Sequence, residues 1–194
     1  GHDGAATNRT VMTMVGAPQA VVEAAFRAIA TAAERIDMRQ HSGAHPRMGA
    51  TDVCPFVPVS GIDMDGCAAL AKQLGERVGA ELGIPVYLYE SAAQRPERRN
   101  LADVRVGEYE GLSGRTGDPH WTPDFGPDRF NAQSGATAIG ARPFLIAYNI
   151  NLNTRNTKKA MKIAALVREK GIIRRERGEI VRDDQGNAVR DPGL

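Results

Sequence analysis

The sequence predicts a fold that combines α-helices with β-strands, of the α/β or α+β class. Two observations carry this prediction. Apolar residues recur at helical spacing in three segments, and short runs rich in β-branched or aromatic residues lie between them. In addition, the connections are irregular and no glycine-rich nucleotide-binding motif follows a predicted strand, which argues against a doubly wound sheet. The length of 194 residues suffices for one sizeable core.

Three helices are predicted, each with a recognisable start or stop. The first begins at Pro18, because proline suits the first helical position, and its apolar stripe is Val22, Phe26, Ile29, Ala33 and Ile36. The second has Asp63 as its N-cap and ends at Gly83, with the stripe Cys67, Leu70, Ala71, Leu74, Val78 and Leu82. The third is predicted over Thr157–Lys170, with an inward face of Ala160, Ile163, Ala164 and Val167.

The predicted strands come before, between and after these helices. They are Val11–Gly16, Asp52–Val59, Ile84–Tyr89 and Pro143–Leu152, of which the last has the strongest β pattern. Pro55 and Pro58 cannot donate to a ladder, so Asp52–Val59 is expected to be an edge or irregular strand. The tail Glu179–Asp191 is typical of a polar hairpin around Gly186. The connection from Glu90 to Gly135 is long enough to suggest a functional role.

Composition and charge exclude several classes of function. A net charge of +2 is too small to indicate a nucleic-acid partner. No apolar run approaches the roughly 20 residues needed to span a bilayer, so no membrane partner is expected. The two cysteines, Cys54 and Cys67, form no disulfide framework, and a reduced, cytoplasmic protein is the simplest interpretation.

The glycine- and proline-rich segment His41–Asp52 (HSGAHPRMGATD) is predicted to be an active-site loop. An imidazole can act as a general acid and a general base in turn, which suits His41 and His45 to proton transfer. The same spacing leaves open a metal site with Asp52, or two histidines that merely bind loop carbonyls. Arg47 is suited to pair with a substrate carboxylate, or alternatively with Asp52 or another acid.

Aromatic residues are concentrated in the connection that precedes Gly135. Trp121, Phe125 and Phe130 lie among prolines and glycines, in a segment that builds neither helix nor strand. Such side chains can stack on a flat heterocycle, or they can cover the core from outside. The sequence alone leaves both interpretations open.

Several stretches together resemble glutamate formiminotransferase, which is also found as the N-terminal half of formiminotransferase-cyclodeaminase. The resemblance runs nearly unbroken from Thr7 to Thr154, and its most specific part is HSGAHPRMGATDVCPF at His41–Phe56. The other stretches are TNRTVMTMVGAP, ELGIPVYLYESAA, VGEYEGL, WTPDFGP and GARPFLIAYNINLNT.

The resemblance implies an activity and a set of site residues. The activity is transfer of a formimino group from N-formimino-L-glutamate to N5 of tetrahydrofolate, the co-substrate, in histidine breakdown and without a metal. His45 matches the family's catalytic histidine, while His41 and Arg47 are expected to support or bind substrate. The loop that matches the folate-contacting loop consists of Gly126, Pro127, Asp128, Arg129, Phe130, Asn131, Ala132, Gln133, Ser134 and Gly135.

The resemblance also implies a domain organisation. The family fold is α+β, with ferredoxin-like subdomains built from a mixed β-sheet and helices packed on one face. Residues 1–170 would form the N-terminal subdomain without its first strand, and residues 171–194 a linker or hairpin toward a second subdomain. A homodimer is expected for the complete protein, with formiminoglutamate and folate as its small-molecule partners.

Overall fold

A computed structural model describes residues 2–4, 7–146, 150–168, 171–176 and 178–192. The chain divides into two compact units, residues 1–145 and residues 146–194. The helices and strands, numbered in chain order, are β1 (His2–Gly4), β2 (Arg9–Val11), α1 (Pro18–Arg35), β3 (Val53–Phe56), α2 (Met64–Leu82), β4 (Val86–Glu90), α3 (Leu101–Val104), α4 (Glu108–Gly111), β5 (Thr137–Ala141), α5 (Thr157–Val167), β6 (Ile172–Ile173), β7 (Arg175–Glu176), β8 (Glu179–Ile180) and β9 (Arg190–Asp191).

The main sheet of the first unit has three strands in the order β3–β5–β4, and all three are parallel. The strands β1 and β2, β6 and β9, and β7 and β8 form separate antiparallel pairs. This combination confirms the predicted α+β class. As predicted, β3 lies at an edge of the described sheet and contains Pro55.

The central strand was not where the sequence predicted a strand. The prediction placed one at Pro143–Leu152, but residues 142–146 and 150–152 have no regular structure and residues 147–149 lie outside the described part. The strand is β5, all five of whose residues are buried. Small residues are required there, because a Cβ on Gly140 would lie 2.5 Å from the ring of Tyr89. Their low β-propensity concealed the strand. Likewise, β2 ends at Val11, so the strand predicted over Val11–Gly16 is wrong.

The two long helices cover one face of this sheet. Asp63 caps α2 by accepting a hydrogen bond from the Gly66 N–H at 2.8 Å, and Gly83 ends the helix with a positive φ of 63°. The helix predicted to begin at Pro18 is likewise present as α1, so both helical predictions are confirmed. The core on this face is apolar and consists of Val22, Ala25, Ile29, Phe56, Cys67, Ala71, Leu74, Val78, Ile84, Val86, Leu88, Ile139 and Ala141.

The long connection between β4 and β5 covers the opposite face. Side chains alternate along a strand, so Tyr87 and Tyr89 point away from α2. They pack in a second cluster with Met48, Val104, Leu112, Ala136 and Ala138. Trp121 and Phe130 pack against this cluster and Phe125 against the helix-side core, so these aromatic side chains cover the core from outside.

The second unit contains α5 and short antiparallel strands. The predicted third helix is confirmed over Thr157–Val167, while residues 169–170 lie outside the described part. Its predicted inward face is not buried, since Ile163 and Val167 are exposed. The turn predicted at Gly186 is present, with a φ of 83° and a hydrogen bond from the Gly186 N–H to the Asp183 carbonyl. Among the described residues, no helix is both long and apolar enough to cross a bilayer.

Candidate active site

His45 lies half-buried in the loop between α1 and β3, and both of its ring nitrogens have protein partners. Nδ1 contacts the carbonyl oxygen of Pro46 at 2.6 Å, and Nε2 contacts the guanidinium of Arg9. Because a carbonyl oxygen only accepts, we assign the proton to Nδ1, which leaves the lone pair on Nε2. The ring therefore presents a proton-accepting nitrogen beside a cation.

His41 is bound to the segment that precedes α1. Its Nε2 donates to the carbonyl oxygen of Asn8 at 2.9 Å, and its Nδ1 accepts from Nε of Arg47 at 3.4 Å. The side-chain amide of Asn8 donates to the Ser42 carbonyl at 2.8 Å. Asn8 holds this position with a positive φ of 47°, which an asparagine adopts more readily than most residues. The segment 7–9 thus fixes both histidines.

Arg47 is held by acidic residues, but not by Asp52. Its guanidinium makes a two-point contact with Glu110, at 2.8 and 2.6 Å, and a further contact with Glu108 at 3.2 Å. Glu110 raises the pKa of Arg47, and Arg47 lowers the pKa of Glu110 through the same hydrogen bonds. Nη2 also donates to the His41 carbonyl at 3.1 Å. Of the alternatives left open by the sequence, the structure shows pairing with an acid.

Asp52 is paired with a different arginine. It forms a close ion pair with Arg105 and accepts a hydrogen bond from the Met48 N–H at 3.1 Å. Nearby, Cys54 is half-buried, and burial raises the pKa of its thiol to about 12. Among the described residues, no group of three or more His, Cys, Asp or Glu side chains is arranged to hold a metal ion.

The loop Gly126–Gly135 is packed directly against the histidine loop. The Ala50 N–H donates to the Ser134 carbonyl, and the Ala136 N–H donates to the Met48 carbonyl, both at 2.9 Å. Gly135 has a φ of 68°, and a Cβ there would lie 2.2 Å from the Met48 oxygen. This close approach requires glycine, because it also combines with a left-handed backbone. The structure therefore brings the two predicted site loops together.

Within that loop, one half is exposed and the other is anchored. Asp128 and Arg129 are exposed, while Ser134 and Gly135 are buried. The side chain of Asn131 accepts from the Ser134 N–H at 2.9 Å and shapes the turn. Gln133 is fixed through its carbonyl, which accepts from the Met38 N–H at 2.8 Å. The anchored half can thus hold the exposed half in a defined position.

The short helix α4 connects the two loops, and sequence reasoning missed it as part of the site. Glu108 and Glu110 bind Arg47, while the hydroxyl of Tyr109 donates to the Ala132 carbonyl at 2.5 Å. The Tyr109 ring also packs on Phe130, with ring centroids 5.5 Å apart. Glu108 adopts a positive φ of 53°, which is uncommon for this residue type. Such an unusual conformation is characteristic of functional sites.

Comparison with known proteins identifies the family. The sequence matches the family described as the formiminotransferase domain, N-terminal subdomain, over residues 2–142. The chain belongs to this formiminotransferase family. The finding confirms the resemblance that the motifs at His41–Phe56 indicated.

Relatives of this chain come from animals, bacteria and archaea. It is 54% identical over 168 residues to the formimidoyltransferase-cyclodeaminase of Rattus norvegicus, covering 87% of this chain and 31% of that protein. It is 50% identical over 167 residues to the glutamate formimidoyltransferase of Streptococcus pyogenes serotype M1, covering 86% and 56%. For the Thermoplasma acidophilum glutamate formimidoyltransferase the identity is 53% over 165 residues, covering 84% and 54%. The chain thus spans about half the length of the curated glutamate formimidoyltransferases.

Two groups of residues around the candidate site were not predicted as site residues. Arg9 and Asn8 lie far from the histidines in sequence, and Glu108, Tyr109 and Glu110 lie farther still. The stretch VGEYEGL was noted as part of the resemblance, and its two acids flanking a tyrosine are the signal that could have pointed to the Arg47 contact.

Proposed function

We propose that the protein transfers a formimino group from N-formimino-L-glutamate to N5 of tetrahydrofolate, a step of histidine breakdown. Family membership and about 50% identity to glutamate formimidoyltransferases support this activity. The observation that carries the proposal is the state of His45. Its Nδ1 is held by the Pro46 carbonyl, so Nε2 is left as the nitrogen that can accept and return a proton.

The proposed reaction needs one group that moves a proton twice. N5 of tetrahydrofolate attacks the amidine carbon, and a tetrahedral intermediate forms. His45 accepts the proton that N5 loses and then donates it to the departing glutamate nitrogen, so that the carbon–nitrogen bond to glutamate breaks. Holding both substrates in one site lowers the entropic barrier. The protonated amidine is itself electrophilic, so this chemistry requires no metal.

Arg9 affects the proposed reaction because its guanidinium contacts Nε2 of His45. Its guanidinium must move aside before Nε2 can approach a substrate proton. We propose that a substrate carboxylate draws Arg9 away, since guanidinium pairs more strongly with carboxylate than with a neutral ring. Substrate binding would then release the base at the moment that it is needed.

Arg47 and His41 are proposed as residues that shape the substrate site. A glutamate carboxylate can reach Arg47 only by displacing Glu110 or Glu108. We therefore propose that Arg47 mainly positions His41 and α4, and that His41 keeps the loop around His45 in place. The loop Gly126–Gly135 is proposed to contact tetrahydrofolate, with Asp128 and Arg129 as its exposed charged members.

The complete protein is proposed to be a cytoplasmic homodimer. The two cysteines, Cys54 and Cys67, are free thiols, as is usual in a reducing compartment. Size-exclusion chromatography with light scattering would test the dimer. A mass equal to one chain at micromolar concentration would contradict it.

An alternative is that this chain binds folate without catalysing transfer unless a second subdomain or partner chain is present. The apolar side chains of Phe144 and Leu145 support it, because they are 70% and 73% exposed and such surfaces commonly contact other protein. Measuring transfer by this chain alone and by the full-length protein separates the two cases. Activity of the chain alone would exclude the alternative.

The proposed activity is tested by incubating the full-length protein with formiminoglutamate and tetrahydrofolate. The expected result is loss of both substrates and release of glutamate in equal amounts. N-formyl-L-glutamate serves as a second donor, because the same residues could transfer a formyl group. Release of glutamate from neither donor would overturn the proposal.

A further inference from the structure

Arg115 is a buried cation that has no ion-pair partner in the described part of the chain. The residue ends the 3-10 turn Leu112–Arg115 and is 5% exposed. Its guanidinium lies 3.7 Å from the ring centroid of Trp121, and its Nη2 donates to the Val106 carbonyl. The other terminal nitrogen, Nη1, is buried and has no hydrogen-bond partner among the described residues.

Arg98, a second buried arginine among the described residues, has the ion-pair partner that Arg115 lacks. Arg98 forms an ion pair with Asp124 at 2.8 Å, and both side chains are less than 5% exposed. It also donates to the carbonyls of His120 and Thr122, at 3.1 and 2.6 Å. Arg115 has no carboxylate within ion-pair distance in the part of the chain that the structure describes. Burial lowers the pKa of Arg115, the neighbouring Tyr87 hydroxyl offsets part of this effect, and the nearby charge of Arg98 lowers the pKa further.

A small cavity of about 20 Å³ adjoins Arg115 and is also lined by Tyr87, Thr116, Asp128, Phe130 and Asn131. A cavity needs roughly 10–15 Å³ to hold one water molecule, so this one accommodates a single polar group rather than a ring. Six of the lining residues belong to the loop Gly126–Gly135. The cavity therefore opens beside the segment proposed to contact tetrahydrofolate.

The charges around the cavity favour an anion. Arg115 and Arg129 are positive, Asp128 is negative, and all three line the cavity. Asp128 and Arg129 are exposed and screened by water, whereas Arg115 is buried. An uncompensated buried charge is costly to the fold, and an incoming anionic oxygen would remove that cost. The gain in free energy is expected to be largest for a ligand atom that contacts Nη1 of Arg115.

We propose that the cavity at Arg115 is an anion subsite that takes one carboxylate of a glutamate group. The proposal rests on the proposed function, since tetrahydrofolate and formiminoglutamate both carry glutamate carboxylates. One carboxylate oxygen would enter the cavity and accept a hydrogen bond from Nη1 of Arg115 once the side chains that enclose this nitrogen move slightly apart. The rest of the ligand would lie along the exposed residues Asp128 and Arg129.

The single tryptophan of the chain reports on this subsite. Trp121 stacks on Arg115, so an anion bound at Nη1 changes the environment of the only indole. In the unaltered protein at constant ionic strength, glutarate is expected to give a saturable change in fluorescence, and neutral glutaramide is not. Equal responses to the two compounds, or no response to either, would overturn the subsite.

Substitution of Arg115 identifies the source of the carboxylate. The Arg115→Met variant keeps an apolar stem on Trp121 and removes the charge. It is expected to weaken binding of N-(4-aminobenzoyl)-L-glutamate or of formiminoglutamate by about tenfold or more. Loss for the first compound assigns the subsite to the folate tail, and loss for the second assigns it to the formimino donor. Binding of 6-methyltetrahydropterin, which has no carboxylate, is expected to be unchanged.

The control and the contradicting results are equally specific. Arg27→Met removes an exposed arginine on α1 and should alter none of these affinities. Unchanged affinity for both carboxylates in Arg115→Met, or equal weakening of the pterin, would show that Arg115 only supports the fold. The glutarate measurement needs no turnover, so it can succeed even where the transfer reaction fails.

Discussion

The two faces of the main sheet are covered in different ways. On one face, α1 and α2 bury apolar side chains in a regular pattern. On the other, irregular chain from residue 91 to residue 136 buries tyrosines and an ion pair. The candidate site residues lie in the loops His41–Asp52 and Gly126–Gly135, which pack on this second face. Regular packing thus supplies a rigid support, and the irregular layer places charged groups around the candidate site.

The difference between the two faces is tested most strongly by removing one partner of the buried ion pair between Arg98 and Asp124. Arg98→Met leaves Asp124 as an unpaired carboxylate that is 4% exposed. The free energy of unfolding is expected to fall by about 3–5 kcal/mol, measured by urea denaturation. Arg27→Met, at an exposed pair, should change it by less than about 1 kcal/mol. Equal effects of the two substitutions would contradict the assignment of buried charge to this face.

The helix-covered face should respond to loss of volume instead of loss of charge. Leu74→Ala leaves a cavity beneath α2, because Leu74 is completely buried. We expect a loss of about 2–5 kcal/mol in the free energy of unfolding, with substrate affinity unchanged at temperatures where the protein stays folded. Val59→Ala is the control, since Val59 is 68% exposed. A change in affinity without a change in stability would mean that α2 belongs to the site.

The contact between Glu110 and Arg47 tests the irregular layer without disrupting it. Glu110→Gln should reduce the free energy of unfolding by less than about 1 kcal/mol, because the carboxylate is 64% exposed. The same substitution should lower the transfer rate, because Arg47 then loses its two-point contact with a carboxylate and no longer holds the histidine loop as firmly. A full transfer rate in this variant would show that α4 does not position the histidine loop.

The same pair predicts a dependence on pH. Arg47 lowers the pKa of Glu110 below its ordinary value, so the folded state favours the ionised carboxylate. Its stabilisation is present above the unfolded pKa and is lost as the pH falls through the folded pKa. The stability difference between the unaltered protein and Glu110→Gln should therefore shrink in acid. A difference that grows in acid would contradict the pairing.

The smallest expected effect concerns the thiols on the helix-covered side. Burial raises the pKa of Cys54 to about 12 and also raises that of Cys67. Since the thiolate is the reactive form, neither should be alkylated by iodoacetamide at neutral pH in the folded protein. Both should react in denaturant. Rapid labelling of the folded protein would show that this face is looser than its packing indicates.

The difference between the faces also explains what could be predicted from the sequence. The helices α1 and α2 were predictable, because Asp63, Gly83 and the apolar stripes express local rules. The strand β5 was not, because Ala138, Gly140 and Ala141 have low β-propensity and the close approach of the Tyr89 ring leaves no room for a side chain at Gly140. Its identity depends on neighbours that the local sequence does not reveal.

The candidate site likewise contains residues that the local sequence predicts and residues that it does not. The motif around His45 named the loop and the residue, but the partners Arg9, Asn8 and Glu110 come from distant segments. Their roles follow from tertiary contacts, as does the burial of Arg98 and Arg115. Spacing rules describe residues that are near in sequence, and ion pairs between loops fall outside them.

The central claim, that His45 moves the proton in formimino transfer, is tested most directly by His45→Ala in the full-length protein. We expect the transfer rate to fall at least a hundredfold, because a positioned acid–base group contributes roughly 10²–10⁴. Affinity for tetrahydrofolate, measured by calorimetry, should be unchanged, and the exposed His120→Ala variant should transfer normally. Near-normal transfer by His45→Ala would contradict the claim.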